Sequence, residues 1–137
     1  MERIVLRIAR SAAIGAAISL SGTPVFAAPN AAESKYIHAV EEAVRYHLKD
    51  PESARFRNVR AKIRNAKIGD GVVCGEVNSK NSYGGYIGFK RFYGMKKNEF
   101  NDDYDASIEG EGPKLDREIF AEMWAQFCGP GPLPPAK

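Results

Sequence analysis

The chain has 137 residues, with 20 Lys+Arg against 17 Asp+Glu, two Cys, one Trp and two His. That length fits one domain and no more. A hydrophobic fraction of 44% supplies a core and excludes wholesale disorder, and two His with two Cys exclude a multi-ligand zinc scaffold.

Residues 1–27 read as an address. Arg3, Arg7 and Arg10 form a positive start, Ser11 to Leu20 is an uncharged apolar run, and Gly22 and Pro24 break it. Val25-Phe26-Ala27 then offers a signal peptidase site, so the mature chain is expected to begin at Ala28. The apolar run is too short to span a bilayer, which takes roughly 20 residues. No stable membrane insertion is expected after cleavage. Removing Glu2 and the three arginines leaves 17 basic and 16 acidic side chains, a net of +1. A strongly basic polyanion binder is therefore not indicated overall. The expected location is the periplasm or the medium outside a bacterial cell.

Glu33 to Lys49 carries Ile37, Val40, Val44 and Leu48 at helical spacing, with Asn30 or Ser34 to cap the start. Asp50-Pro51 stops this helix, and Asp50 can cap one further short turn over Pro51-Glu52-Ser53. Phe56 to Ala66 alternates. Val59, Ala61 and Ile63 point one way, and Arg60, Lys62 and Arg64 make a basic outer face. Gly69-Asp70-Gly71 turns into a second strand over Val72 to Asn78. Ser79 to Gly85 is a polar loop, followed by a third strand over Tyr86 to Tyr93. Residues 94–112 are acidic and polar, with a short strand over Ala106 to Glu109. Leu115 to Cys128 is a second helix, whose apolar stripe is Leu115, Ile119, Phe120, Met123, Trp124 and Phe127. Gly129 stops it, and residues 129–137 form a Pro/Gly-rich flexible tail.

Export places Cys74 and Cys128 where disulfides persist. Neither lies in a Cys-x-x-Cys motif or opens a helix, the settings that activate a thiol. A structural disulfide is the expected reading. Closing a loop of about 55 residues is worth about 4 kcal/mol in the chain-entropy model. The whole is an α+β domain over 28–128: an N-terminal helix, a three- to four-stranded antiparallel sheet, a C-terminal helix and one disulfide.

The stretches Leu48 to Phe56 (LKDPESARF), Val73 to Phe89 (VCGEVNSKNSYGGYIGF) and Trp124 to Cys128 resemble a family of small exported bacterial proteins without an assigned activity. The resemblance covers most of the mature chain. It implies export and one compact domain, and no catalytic residue.

Several constellations invite a functional reading. His38 and His47 sit on one helix at a spacing that sends them to opposite faces, so they cannot share a metal. The acidic run Asn101 to Asp105 fails the EF-hand register, because the required Gly position falls on Ala106 or Ile108. No cofactor is indicated. Charge is segregated: residues 45–67 hold eight Lys and Arg, while residues 99–122 hold nine Asp and Glu. The two segments are expected to meet within the fold, the alternative being a dipolar surface that steers a partner. Five aromatics crowd residues 83–93: Tyr83, Tyr86, Phe89, Phe92 and Tyr93. They pack as core or expose a strip of Tyr83, Tyr86, Lys90 and Phe92. The run does not match an RNA-recognition strand, and no nucleic acid is expected.

The favoured function is a non-enzymatic envelope protein that binds another protein or a ligand. Its expected surface is Asn78, Lys80, Asn81 and Tyr83 in the loop, Tyr86, Lys90 and Phe92 on the third strand, and Arg60, Lys62 and Arg64 on the basic strand. One alternative is an envelope hydrolase with Glu76 as its acid/base group. Another is weak polyanion binding through Arg60, Lys62 and Arg64, which would be steeply salt-dependent.

Overall fold

The computed structural model describes residues 28–131. The expected leader, residues 1–27, and the end of the expected tail, residues 132–137, lie outside the described residues. Helix α1 spans Ala31–Tyr46, and a single 3₁₀ turn follows at Pro51–Ser53. Four strands come next: β1 (Arg55–Asn65), β2 (Asp70–Asn78), β3 (Lys90–Lys96) and β4 (Tyr104–Ile108). Helix α2 (Lys114–Cys128) closes the domain. The strands form an antiparallel meander in the order β1-β2-β3-β4. The fold is α+β, with the two helices on opposite faces of the sheet.

Helix α1 starts at Ala31 because Asn30 builds a full capping box. The Asn30 side chain accepts from the Glu33 amide at 3.0 Å, and the Glu33 carboxylate accepts from the Asn30 amide at 3.0 Å. The helix ends at Tyr46, earlier than Lys49. The Leu48 amide folds back onto the Arg45 carbonyl, and the Arg45 side chain donates to the Pro51 carbonyl at 2.7 Å. The 3₁₀ turn has Asp50 as its cap and Pro51 in its first position, as the sequence predicts.

Tyr36, Val40 and Val44 of α1 pack on Val73, Val77, Phe92, Ala106 and Ile108 of the sheet. The Tyr36 hydroxyl donates to the Gly71 carbonyl at 2.8 Å and accepts from the Lys96 amide at 3.2 Å, so it ties α1 to both central strands. Burial pushes that hydroxyl up to about 12. Close approach of α1 requires Gly94, where a Cβ would collide with Val40 Cγ1.

On the other face, α2 lays Phe120, Trp124, Phe127 and Cys128 against Val72, Cys74, Tyr93 and Met95. The Cys74–Cys128 disulfide forms, with its Cα atoms 5.7 Å apart and both cysteines buried. It ties a central strand to the last residue of α2. The expected apolar stripe is only partly used. The row 120-124-128 faces the sheet, whereas Leu115 is 66% and Ile119 41% exposed, because they belong to the neighbouring helical row at its flank.

Strand β3 begins at Lys90, not at Tyr86. Gly88 has φ +98° and Gly84 φ +81°, left-handed conformations that end a strand before it starts. Tyr86 keeps only an isolated bridge to Lys80. Strand β4 begins at Tyr104, two residues upstream of the expected start, because Tyr104 pairs with Lys96 and packs edge-on against Tyr36. Among the described residues, no helix is long and apolar enough to cross a membrane.

Candidate binding surface

Strand β1 contains a bulge, and the surface is organised around it. Arg57 pairs with Glu76 and Arg60 with Cys74, so Asn58 and Val59 together oppose Gly75. Asn58 adopts φ +54°, a left-handed conformation that Asn tolerates better than most residues. Gly75 is required opposite, because a Cβ there would lie 2.9 Å from the Phe92 ring and 3.0 Å from Val59 Cγ2. The extra residue puts Phe56 on the same face as Val59, Ala61 and Ile63. It also turns the Asn58 side chain toward Glu76.

A row of alternating charge then crosses the sheet on the α2 side. Arg57 grips Glu76 with Nε at 2.9 Å and a terminal nitrogen at 3.2 Å, and Asn58 Nδ2 adds a bond at 2.8 Å. Arg91 faces Glu76 across β2 and β3 and holds Glu109 with bonds of 3.0 and 2.5 Å. The Arg91 guanidinium lies 5.0 Å from the Trp124 ring centre. Hydrogen bonds from Arg57 and Asn58 hold the Glu76 carboxyl below the ordinary carboxylate range, and Arg91 does the same for Glu109. An open cleft of about 850 Å³ runs beside this row, lined by Ile37, Val59, Ala61, Glu76, Arg91 and Trp124 among others.

The loop between β2 and β3 is tied down at many points. Asn81 Oδ1 accepts from the Tyr83 and Gly85 amides at 3.0 and 3.1 Å, which forms the tight turn. Asn78 Oδ1 accepts from the Gly88 amide at 3.2 Å, and the Lys80 amide donates to Ser53 Oγ at 2.8 Å. The Tyr86 hydroxyl donates to the Ser53 carbonyl at 3.1 Å. Arg55 stacks 4.4 Å from the Tyr86 ring, and Arg57 stacks 3.8 Å from the Phe89 ring. This fixed loop nevertheless presents Tyr83 at 97% and Ile87 at 55% exposure, with Tyr86 and Phe89 also exposed.

The expected surface residues therefore separate. Lys80, Asn81, Tyr83 and Tyr86 gather in the loop, and Asn78, the last residue of β2, ties its far end through the Gly88 amide. Lys90 lies at its end and pairs with Glu111 at 2.6 Å. Phe92 does not belong to the surface: it is fully buried, edge-on to Phe56, because β3 turns its side chain toward α1. Nor is the basic face of β1 an open patch. Arg60 donates to the Cys128 carbonyl at 2.6 Å, and Lys62 Nζ donates to the carbonyls of Gly129 and Gly131. Both cations sit at the C-terminal end of α2, where Arg60 meets the carbonyl of its last residue and Lys62 those of the segment that follows. Arg64 pairs with Asp70 at 2.9 Å. The acidic segment is met mainly from β3 and the residue after it rather than from residues 45–67: Lys96 pairs with Asp102, Lys97 with Asp103 and Arg91 with Glu109. His47 reaches Asp105 at 3.7 Å.

No family model, no curated protein and no solved structure matches this chain.

Proposed function

We propose that the protein is an exported, non-enzymatic binding module of the bacterial envelope, and that it meets its partner through the loop over residues 79–89. The observation that carries this reading is a rigid loop with an apolar tip. Unconstrained loops usually gain nothing by exposing Tyr83 and Ile87. A loop fixed by hydrogen bonds and stacked on two arginines loses little entropy on binding, so those side chains convert efficiently into affinity. Export is supported by the composition of residues 1–27 and by the buried disulfide.

The hydrolase alternative has less support. Glu76 is held as a carboxylate by three hydrogen bonds from Arg57 and Asn58, which favour its charged form and disfavour a role as proton donor near neutral pH. The polyanion alternative predicts binding that falls steeply with salt.

The test uses a double substitution, Tyr83→Ser with Ile87→Ser, and a control, Tyr46→Ser. Tyr46 is 88% exposed on α1. Native mass spectra of protein released gently from the envelope should show a heavier species for wild type and control, and only the free chain for the loop variant. Thermal midpoints of all three should agree, because surface changes typically alter stability by about 0.5 kcal/mol or less. A heavier species that survives in the loop variant would refute the reading.

A further inference from the structure

The loop over residues 79–89 and the first residue of β1 bring together two cations that the fold leaves uncompensated. The Arg55 guanidinium lies 4.4 Å and Lys80 Nζ 5.8 Å from the centre of one ring, that of Tyr86. Among the described residues, neither head group meets a carboxylate or donates a hydrogen bond. Glu52, on the turn whose last carbonyl accepts from the Tyr86 hydroxyl, pairs with neither. The other cations bordering the loop are matched: Arg57 with Glu76, Lys90 with Glu111 and Arg91 with Glu109. The unmatched charge is thus concentrated at Tyr86. Arg55 is exposed and Lys80 half-buried. A guanidinium stacked on a ring keeps its in-plane N–H groups, and their fork matches a carboxylate.

We propose that Arg55 and Lys80 receive a carboxylate, and that the loop's occupant is an acidic segment of another protein with apolar side chains beside its carboxylates. This rests on residues 79–89 being the contact surface and supplies the chemistry of what they meet. Ile87 follows Tyr86 directly and is 55% exposed, so an apolar contact adjoins the cations. Tyr86 is itself fixed by its hydroxyl bond to Ser53 and its bridge to Lys80, so little ordering is left for binding to pay. Opposite charge also selects the partner and speeds its approach. An anionic membrane fits less well. Such a surface is read by clusters of about four to eight Lys and Arg. Here two cations are unmatched, and Glu111 adds an exposed carboxylate at the end of the loop.

The test uses the mature protein, isotope-labelled, and two short blocked peptides, one alternating leucine with glutamate and the other leucine with glutamine. The glutamate peptide should shift the amide resonances of residues 79–89, and the glutamine peptide should bind about tenfold or more weakly. Arg55→Gln with Lys80→Gln should abolish that preference and leave both peptides weakly and equally bound. Amide exchange at Tyr83 and Gly85 should stay as in wild type, because Asn81 holds the turn. Tyr83→Ser with Ile87→Ser should weaken both peptides together and keep the preference. Equal binding of the two peptides to wild type, no binding, or a preference that survives loss of both cations would each overturn the proposal. Binding to phosphatidylglycerol vesicles without binding to the glutamate peptide would assign the cations to a lipid surface instead. If the peptides fail while the Tyr83→Ser/Ile87→Ser protein still loses its heavier envelope species, only the acidic partner is overturned. If that species persists in the loop variant, the contact surface itself is overturned.

Discussion

The two faces of the sheet are held by different physics. The α1 face is apolar and continuous: Val40, Val44, Val73 and Phe92 are completely or almost completely buried, and one hydroxyl, that of Tyr36, joins three elements. The α2 face has a much smaller apolar cluster, centred on Val72 and the disulfide. Beyond it lies the row of Arg57, Glu76, Arg91 and Glu109, which α2 only borders through Phe120 and Trp124. A domain of this size buries a modest fraction of its surface, so one helix can dock by packing while the other needs a covalent tie. The face that relies on the tie is also the one that leaves a row of charged side chains exposed.

Removing the tie is the sharpest way to break this comparison. Replacing Cys74 and Cys128 together by Ser should cost about 4 kcal/mol. The loss should fall unequally. Amide exchange in α2 should rise first, while α1 and the sheet retain protection up to the new global stability. Uniform loss of protection in both helices would mean that α2 belongs to the same cooperative unit as α1.

The apolar face has its own weak point. Tyr36→Phe keeps the ring and removes the hydroxyl, which leaves the Gly71 carbonyl and the Lys96 amide without their partner. The expected cost is about 2 kcal/mol. A pH signature accompanies it. The folded value for this hydroxyl is raised from 10 to about 12, so its contribution is complete below pH 10 and is lost as pH rises toward 12. Wild-type stability should therefore decline over that window, and the Phe variant should decline less. Equal alkaline slopes in urea titrations would refute the role given to Tyr36.

Element types and the pairing of cysteines were legible because they rest on local patterns. Helical spacing of Val40 and Val44, alternation along β1 and a lone cysteine pair outside any Cys-x-x-Cys motif each follow from short-range rules. The position of Phe92 was not legible, because alternation assigns parity but not which face is buried when helices cover both. The start of β3 was misplaced because aromatic residues such as Tyr86 and Phe89 favour strands, whereas Gly84 and Gly88 impose turns. The bulge did leave a trace. Phe56 is out of phase with Val59, Ala61 and Ile63, and only an extra residue brings all four to one face. Arg91 and Glu109 gave no signal, since their meeting depends on the β3–β4 register.

The smallest expected effect tests the charged row, and it separates a structural row from a catalytic one. Glu76→Gln keeps the shape and hydrogen-bonding oxygen but removes the charge that Arg57 and Arg91 face. The Glu76 side chain is 25% and that of Arg57 51% exposed, so water screens the pair, and the cost at neutral pH should stay under about 1 kcal/mol. Its sign with pH is fixed. The folded carboxyl of Glu76 lies below its ordinary value of 4.5, so its contribution is present above that value and disappears as pH falls through the folded value. Wild type and variant should therefore differ at pH 7 and converge in acid, with Glu109 supplying a parallel decline common to both. A gap that persists to the lowest pH would show that the variant perturbs packing around the bulge rather than the ion pair. A loss of turnover on any envelope substrate, without the stability pattern described, would move Glu76 from the scaffold to the chemistry.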